Sequence, residues 1–281
     1  MITINPSEIP IPKLHHYLLG SVGPRPICFA STIDAEGNRN LAPFSFFNIF
    51  GSNPPIAVFS PARSGRTGET KHTHDNVLEV PEVVINVVTY DMVHQMSLTS
   101  SPYPKGVDEF VKSGFTPVPS ELIKPFRVKE SPVQMECKVL EVKELGSGGG
   151  SGNLIICEVI RIHINEGVLN AEGQIDQNKI DLVARMGGNF YCRAHGEALF
   201  EVDKPLTTTG IGFDQLPKEI LNSKILTGND LGMLANVETL PTVLPTSIHL
   251  YENKSIEEKH RLASDLLSKG HVQDAWQVLL S

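Results

Sequence analysis

The chain has little of what staples or cages a small fold: 4 cysteines among 281 residues, Cys28, Cys137, Cys157 and Cys192, all far apart. No C-x-x-C pair occurs, so the sequence offers neither a zinc-ligand spacing nor a disulfide framework. The thiols read as small buried hydrophobes. Cations are also scarce. The chain has 24 Lys and Arg against 32 Asp and Glu, a formal net charge of −8, which argues against the clustered positive surface that grips nucleic acid. No apolar run approaches the roughly 18 residues that span a bilayer. Met1–Pro12 lacks a basic stretch followed by a long apolar one. A cytoplasmic protein with no membrane or nucleic-acid partner is the expectation. There is no G-x-S-x-G elbow, no legible pair of carboxylates and no internal repeat, so no acid, base or nucleophile is assigned.

What is present is ordinary globular material, 40% hydrophobic and 20% charged, enough to bury a sizeable core. The first 160 residues or so read mainly as strands. Pro26–Ile33 is apolar and ends in Asp34-Ala-Glu-Gly-Asn38, a strong turn signal. Leu41–Ile49 follows at hairpin distance, and Ile56–Ser60 follows the stop at Pro54-Pro55. Val83–Thr89 is β-branched and nearly continuous, as in a strand covered on both faces. Gln134–Val142 alternates until its apolar phase switches to Leu140, which predicts a β-bulge. Leu154–Ile164 is its hairpin partner. The run Gly146–Gly152 between them has no phosphate-loop register and reads as a hairpin tip.

Short helices are predicted at Thr73–Val80, with Thr73 as N-cap and Pro81 as stop, and at Asp91–Leu98 and Val107–Ser113. After about Lys204 the chain turns helical, with segments at Pro217–Asn222 and Asp230–Val237. Ser255-Ile-Glu-Glu258 is a capping box. It opens a helix carrying Leu262, Leu266 and Leu267, which stops near Gly270. A last helix carries Val272, Ala275, Trp276, Leu279 and Leu280. The pattern as a whole is mainly β with short helices, a barrel or sandwich over residues 1–204 and a helical extension over 205–281.

Chemistry-bearing residues crowd between Gly23 and Asn76. Pro24-Arg-Pro-Ile-Cys-Phe-Ala-Ser-Thr32 leads into Asn40-Leu-Ala-Pro-Phe-Ser-Phe-Phe-Asn48. Asn53-Pro-Pro55 and Arg66-Thr-Gly-Glu-Thr-Lys-His-Thr-His-Asp-Asn76 follow, and Arg185-Met-Gly-Gly-Asn-Phe-Tyr191 comes much later. In this order the segments resemble the flavin reductase-like, flavoredoxin-type family, over roughly residues 20–195. No one segment is diagnostic; the series is. The family often has an acidic residue after the lysine, where this chain has His72. His72 and His74 also form an H-x-H, but no further ligand set accompanies them, so no metal is expected.

The resemblance implies an FMN-binding split β-barrel, usually a homodimer with the flavin near the subunit interface. Ser45, Phe46, Phe47 and Asn48 suit the polar edge and apolar face of an isoalloxazine; one phenylalanine is expected in the core and the other toward the ring. Arg66, Lys71, Thr73 and Asn76 suit the phosphate, and Ser31 and Thr32 the ribityl chain. Arg185 either reaches the flavin region or braces a dimer. The implied function is FMN-dependent reduction with NADH or NADPH as donor and a flavin or small molecule as acceptor. Rival readings are an electron carrier that keeps its FMN, a non-catalytic flavin-binding module and, more distantly, pyridoxamine-phosphate oxidation. The extension is expected to pack on the barrel or on the dimer partner, bracing the dimer or partly covering the flavin mouth.

Overall fold

A computed structural model describes all residues from Met1 to Ser281. The chain divides into two compact units, Met1–Phe200 and Glu201–Ser281. In the first, helix α1 (Ile11–Ser21) precedes strands β1 (Cys28–Ile33), β2 (Arg39–Phe44), β3 (Phe47–Ser52) and β4 (Pro55–Phe59). Helix α2 (His72–Glu79), strand β5 (Glu82–Val87), and helices α3 (Val93–Leu98) and α4 (Glu109–Ser113) follow. A two-residue pair, β6 (Pro117–Val118) and β7 (Arg127–Val128), leads to the long hairpin β8 (Val133–Glu144) and β9 (Asn153–Ile164). Helix α5 (Gln177–Ile180) and the small hairpin β10 (Leu182–Arg185) and β11 (Tyr191–Ala194) end the elements of this unit.

Seven strands form one sheet in the order β2-β1-β5-β8-β9-β4-β3, with every neighbouring pair antiparallel. Its centre is buried on both faces, which is why β1 and β5 read as continuous apolar runs rather than alternating ones. From β1, Cys28 and Ala30 pack with Ala57, Phe59, Ile85 and Ile155. Phe29, pointing the other way, packs with Leu41, Met96 and Phe110 under α3 and α4. The expected bulge lies between Val139 and Glu141. The glycine-rich tip is tied to the loop after β4: Gly150 N–H donates to Arg63 O at 3.1 Å, and Arg63 N–H to Ser151 O at 2.8 Å. A Cβ on Gly149 would meet Ser64 O at 3.0 Å, so this approach needs glycine.

Two local expectations are corrected. Leu41–Ile49 is not one strand: the chain bends at Ser45-Phe46, because β2 pairs with β1 while β3 pairs with β4 at the far edge of the sheet. Helix α2 starts at His72 with Lys71 as N-cap. Thr73 does not cap it; its Oγ1 accepts from Asn40 Nδ2 at 2.9 Å. Helix α1, which carried no expectation, has no fully buried residue, although Leu14 and Leu19 are half-buried.

The second unit contains α6 (Lys218–Leu221), α7 (Gly228–Ala235), α8 (Pro245–Tyr251), α9 (Ile256–Ser268) and α10 (Val272–Leu280). Thr227 with Asp230 and Ser255 with Glu258 form capping boxes on α7 and α9. Gly270, at φ +79°, ends α9 and admits the left-handed turn into α10. Trp276, Ala275, Leu267 and Leu234 are fully or almost fully buried in a core shared by α6, α7, α9 and α10. The apolar stripes of the last two helices are therefore covered largely within their own unit.

Candidate functional site

The bend between β2 and β3, the loop after β4, the start of α2 and the segment after α3 enclose a cavity of about 470 Å³. That volume lies within the range of about 300–1,000 Å³ typical of small-molecule sites. Ser45 and Phe46 enter from the bend, Arg66 and Lys71 from the loop, and Thr73 from the first turn of α2. Neither Arg66 nor Lys71 has a carboxylate within 4.0 Å, although both line the cavity. Ser64, Thr67 and Thr70 add hydroxyls, Glu69 and Glu109 add carboxyls, and Thr99–Tyr103 completes the lining. Two unpaired cations, several hydroxyls and a helix start beside an aromatic ring suit a ligand with an anionic end and a flat apolar body.

The other sequence-nominated residues lie elsewhere. Phe47 packs inside the sheet, so of the two phenylalanines it is Phe46 that lines the cavity. Asn48 is exposed on β3, and its Oδ1 accepts from Ile49 N–H at 2.8 Å. Ser31, Thr32 and Asn76 are buried behind the wall. Thr32 Oγ1 accepts from Asn76 Nδ2 at 3.2 Å and from Asn40 Nδ2 at 3.1 Å. Asn40 also reaches Thr73, so a buried amide ties β1, β2 and α2 together and fixes the Thr73 hydroxyl. Ser31 Oγ is buried with no partner. His74 is buried beside Asp75 and Glu144 while His72 lines the cavity; positions two apart on a helix do not share a face.

Three features escaped the sequence reading. Asn40 stands at the head of the Asn40-Leu-Ala-Pro series, so its signal was present. Glu109 gave none: it begins α4, and its Oε2 accepts from Leu41 N–H at 3.0 Å. Burial at the cavity wall pushes its carboxyl above the usual 4.5, with the neighbouring Asp108 adding to the shift. Arg25 is the third. It is 6% exposed and has no carboxylate partner. Its guanidinium donates to the carbonyls of Leu19 (2.8 Å), Val22 and Met186 (2.8 Å), and its Nε lies 3.5 Å from Ser45 Oγ. Desolvation, and then the charge of Arg185, lower its pKa from the ordinary arginine value. A fixed positive charge thus stands directly behind Ser45.

Residues 20–179 match the model of the flavin reductase like domain, more than half of the chain. An uncharacterized protein of Aquifex aeolicus is 35% identical over 190 residues, which cover 67% of this chain and 94% of the relative. The nitrilotriacetate monooxygenase component B of Bacillus cereus is similar in structure, with a TM-score of 0.67 and 32% identity. That likeness covers 72% of this chain and 98% of the other. A flavin reductase with a split-barrel domain from Shewanella frigidimarina gives a TM-score of 0.60 at 26% identity, covering 71% and 96% of the two chains. The architecture is accordingly a split barrel followed by a helical extension, and the chain belongs to the flavin reductase-like family.

Proposed function

We propose that the protein is an FMN-dependent oxidoreductase that takes a hydride from NADH or NADPH and passes reducing equivalents to a flavin or another small acceptor. The observation that carries this reading is the pair of cations Arg66 and Lys71, neither in an ion pair, beside Thr73 in a cavity that Ser45, Phe46, Glu69 and Glu109 also line. Arg66, Lys71 and the Thr73 hydroxyl would hold the phosphate, and Ser45 and Phe46 would meet the ring. FMN, when bound, supplies the hydride and electron chemistry. The protein's part is binding and electrostatics. Asn40 orients the Thr73 hydroxyl from behind, and Arg25 keeps a positive charge behind Ser45, which favours negative charge on a ligand at that edge. Glu109 also lines the cavity, where burial raises its pKa above the ordinary carboxylate value.

Two copies per functional unit fit the exposed apolar residues Phe46, in the bend, and Ile49 and Phe50 on β3, the edge strand. Light scattering of the flavin-loaded protein at micromolar concentration should give the dimer mass, and a monomer would count against it. The reaction is tested by anaerobic titration of the FMN-loaded chain with NADH and NADPH. Bleaching of the flavin absorption by either donor supports the reading. A spectrum unmoved by both would make the protein a flavin-binding module or a carrier reduced by another protein.

A further inference from the structure

A second cavity, of about 380 Å³, lies between the start of α3 and the β10–β11 hairpin, and it has no lining residue in common with the first. Its apolar floor is Val93 and Val183, both part of the core around Phe29. Two arginines dominate its walls, each laid against a tyrosine. The guanidinium of Arg193 sits 3.9 Å from the centre of the Tyr90 ring, and that of Arg185 sits 4.6 Å from the centre of the Tyr191 ring. Stacking of this kind holds the guanidinium plane and leaves its N–H edge to bind an anion.

The two arginines are not equivalent. Asp181 accepts from Arg193 Nε and Nη2, both at 2.7 Å, so that fork is closed and its charge compensated. Arg185 donates only to Phe190 O, at 3.2 Å, and no carboxylate lies within 4.0 Å of it. The nearby Arg25 is likewise without a carboxylate, but its donors are committed to carbonyls and Ser45. The cavity therefore offers one free fork and one unit of uncompensated charge above an apolar floor. That balance suits a monoanion and is a poor match for a phosphate dianion. The flat tyrosine and guanidinium walls suit a planar body.

We infer that this cavity is a binding site for a small aromatic monocarboxylate, whose carboxylate is held by Arg185 and whose ring lies on Val93 and Val183. The site stands apart from the proposed flavin site and does not rest on that reading. Isothermal titration of the full-length protein with benzoate is the test, with benzamide and inorganic phosphate as comparison ligands. Benzoate should bind at one site per chain, with benzamide and phosphate each at least about 10-fold weaker. Arg185→Gln should weaken benzoate about 10-fold or more, and Arg185→Lys should also weaken it, because the fork and the stack are lost. Arg66→Gln should leave benzoate binding as it is. The proposal is overturned by absence of saturable binding up to roughly 10 mM. It is overturned equally by phosphate or benzamide binding as well as benzoate, or by full affinity in the folded Arg185 variants. Loss of benzoate binding in Arg66→Gln would place the ligand in the first cavity and sink the assignment too.

Discussion

The two units solve the same packing problem with opposite treatment of polar groups. In Glu201–Ser281 the polar groups near the core are locally closed: Thr227 with Asp230, Ser255 with Glu258, and Ser223 Oγ 2.8 Å from His260 Nδ1. Its one orphan is Trp276 Nε1. In Met1–Phe200 the sheet is as well buried, yet Arg66, Lys71 and Arg185 line cavities without a carboxylate partner, and Arg25 is buried without one. Exposed cations without a carboxylate partner occur in both units, Lys218, Lys224 and Lys254 among them in the second. A buried charge is the costly kind, and Arg25, which stands behind Ser45 at the first cavity, is the buried cation that has no carboxylate partner.

The harshest test of that contrast is Trp276→Ala. Removing a fully buried tryptophan costs about 3–5 kcal/mol, a large share of the roughly 5–15 kcal/mol that holds a domain together. Residues 201–281 should become open to proteolysis while 1–200 resist and FMN affinity holds. Co-unfolding of both units would erase the distinction. Next in size is Lys71→Ala. A charge-assisted phosphate contact is worth about 1.5–3 kcal/mol, so FMN affinity should fall roughly 10- to 150-fold at an unchanged melting temperature. An unchanged dissociation constant would make Lys71 a solvated surface charge. Ser255→Ala should lower the stability of the second unit by about 1 kcal/mol through loss of the α9 cap, read by chemical denaturation, with flavin binding as before.

The smallest expected effect is a pH dependence at Glu109. Burial raises its folded pKa above the ordinary 4.5, so the folded chain holds this proton more tightly than the unfolded one. The resulting stabilisation is complete below 4.5 and is lost as pH rises through the raised folded value. Glu109→Gln keeps an acceptor for Leu41 N–H and has no proton to lose. Its stability relative to the wild type should improve as pH rises above 4.5, measured by denaturant midpoints. A difference that did not vary with pH would mean that folding leaves the Glu109 pKa where it is in the unfolded chain.

Much of the fold was legible because its signals are local. The buried runs of β1 and β5, the β8–β9 hairpin and the Ser255 capping box each declare themselves within a dozen residues or so. The break between β2 and β3 did not. Apolar residues continue through Pro43–Phe47, and only the distant partners β1 and β4 decide that the chain must turn at Ser45. The same limit governs the site. Arg66, Lys71 and Thr73 lie close in sequence and reach one cavity with Ser45 and Phe46. Thr32 and Asn76 carry the expected residue types but meet each other and Asn40 behind the wall. Arg25, Glu109 and the Arg185 cavity depend on contacts between distant segments, which no spacing rule reports.

The central claim is that the cavity walled by Arg66, Lys71 and Thr73 holds the phosphate of FMN. Flavin fluorescence quenching of the full-length protein by FMN and by riboflavin, in the same buffer and salt, tests it most directly. The two ligands share the ring and the ribityl chain and differ only in the phosphate. The account predicts that FMN binds at one site per chain and at least about 10-fold more tightly than riboflavin. Equal affinity for the two would contradict it.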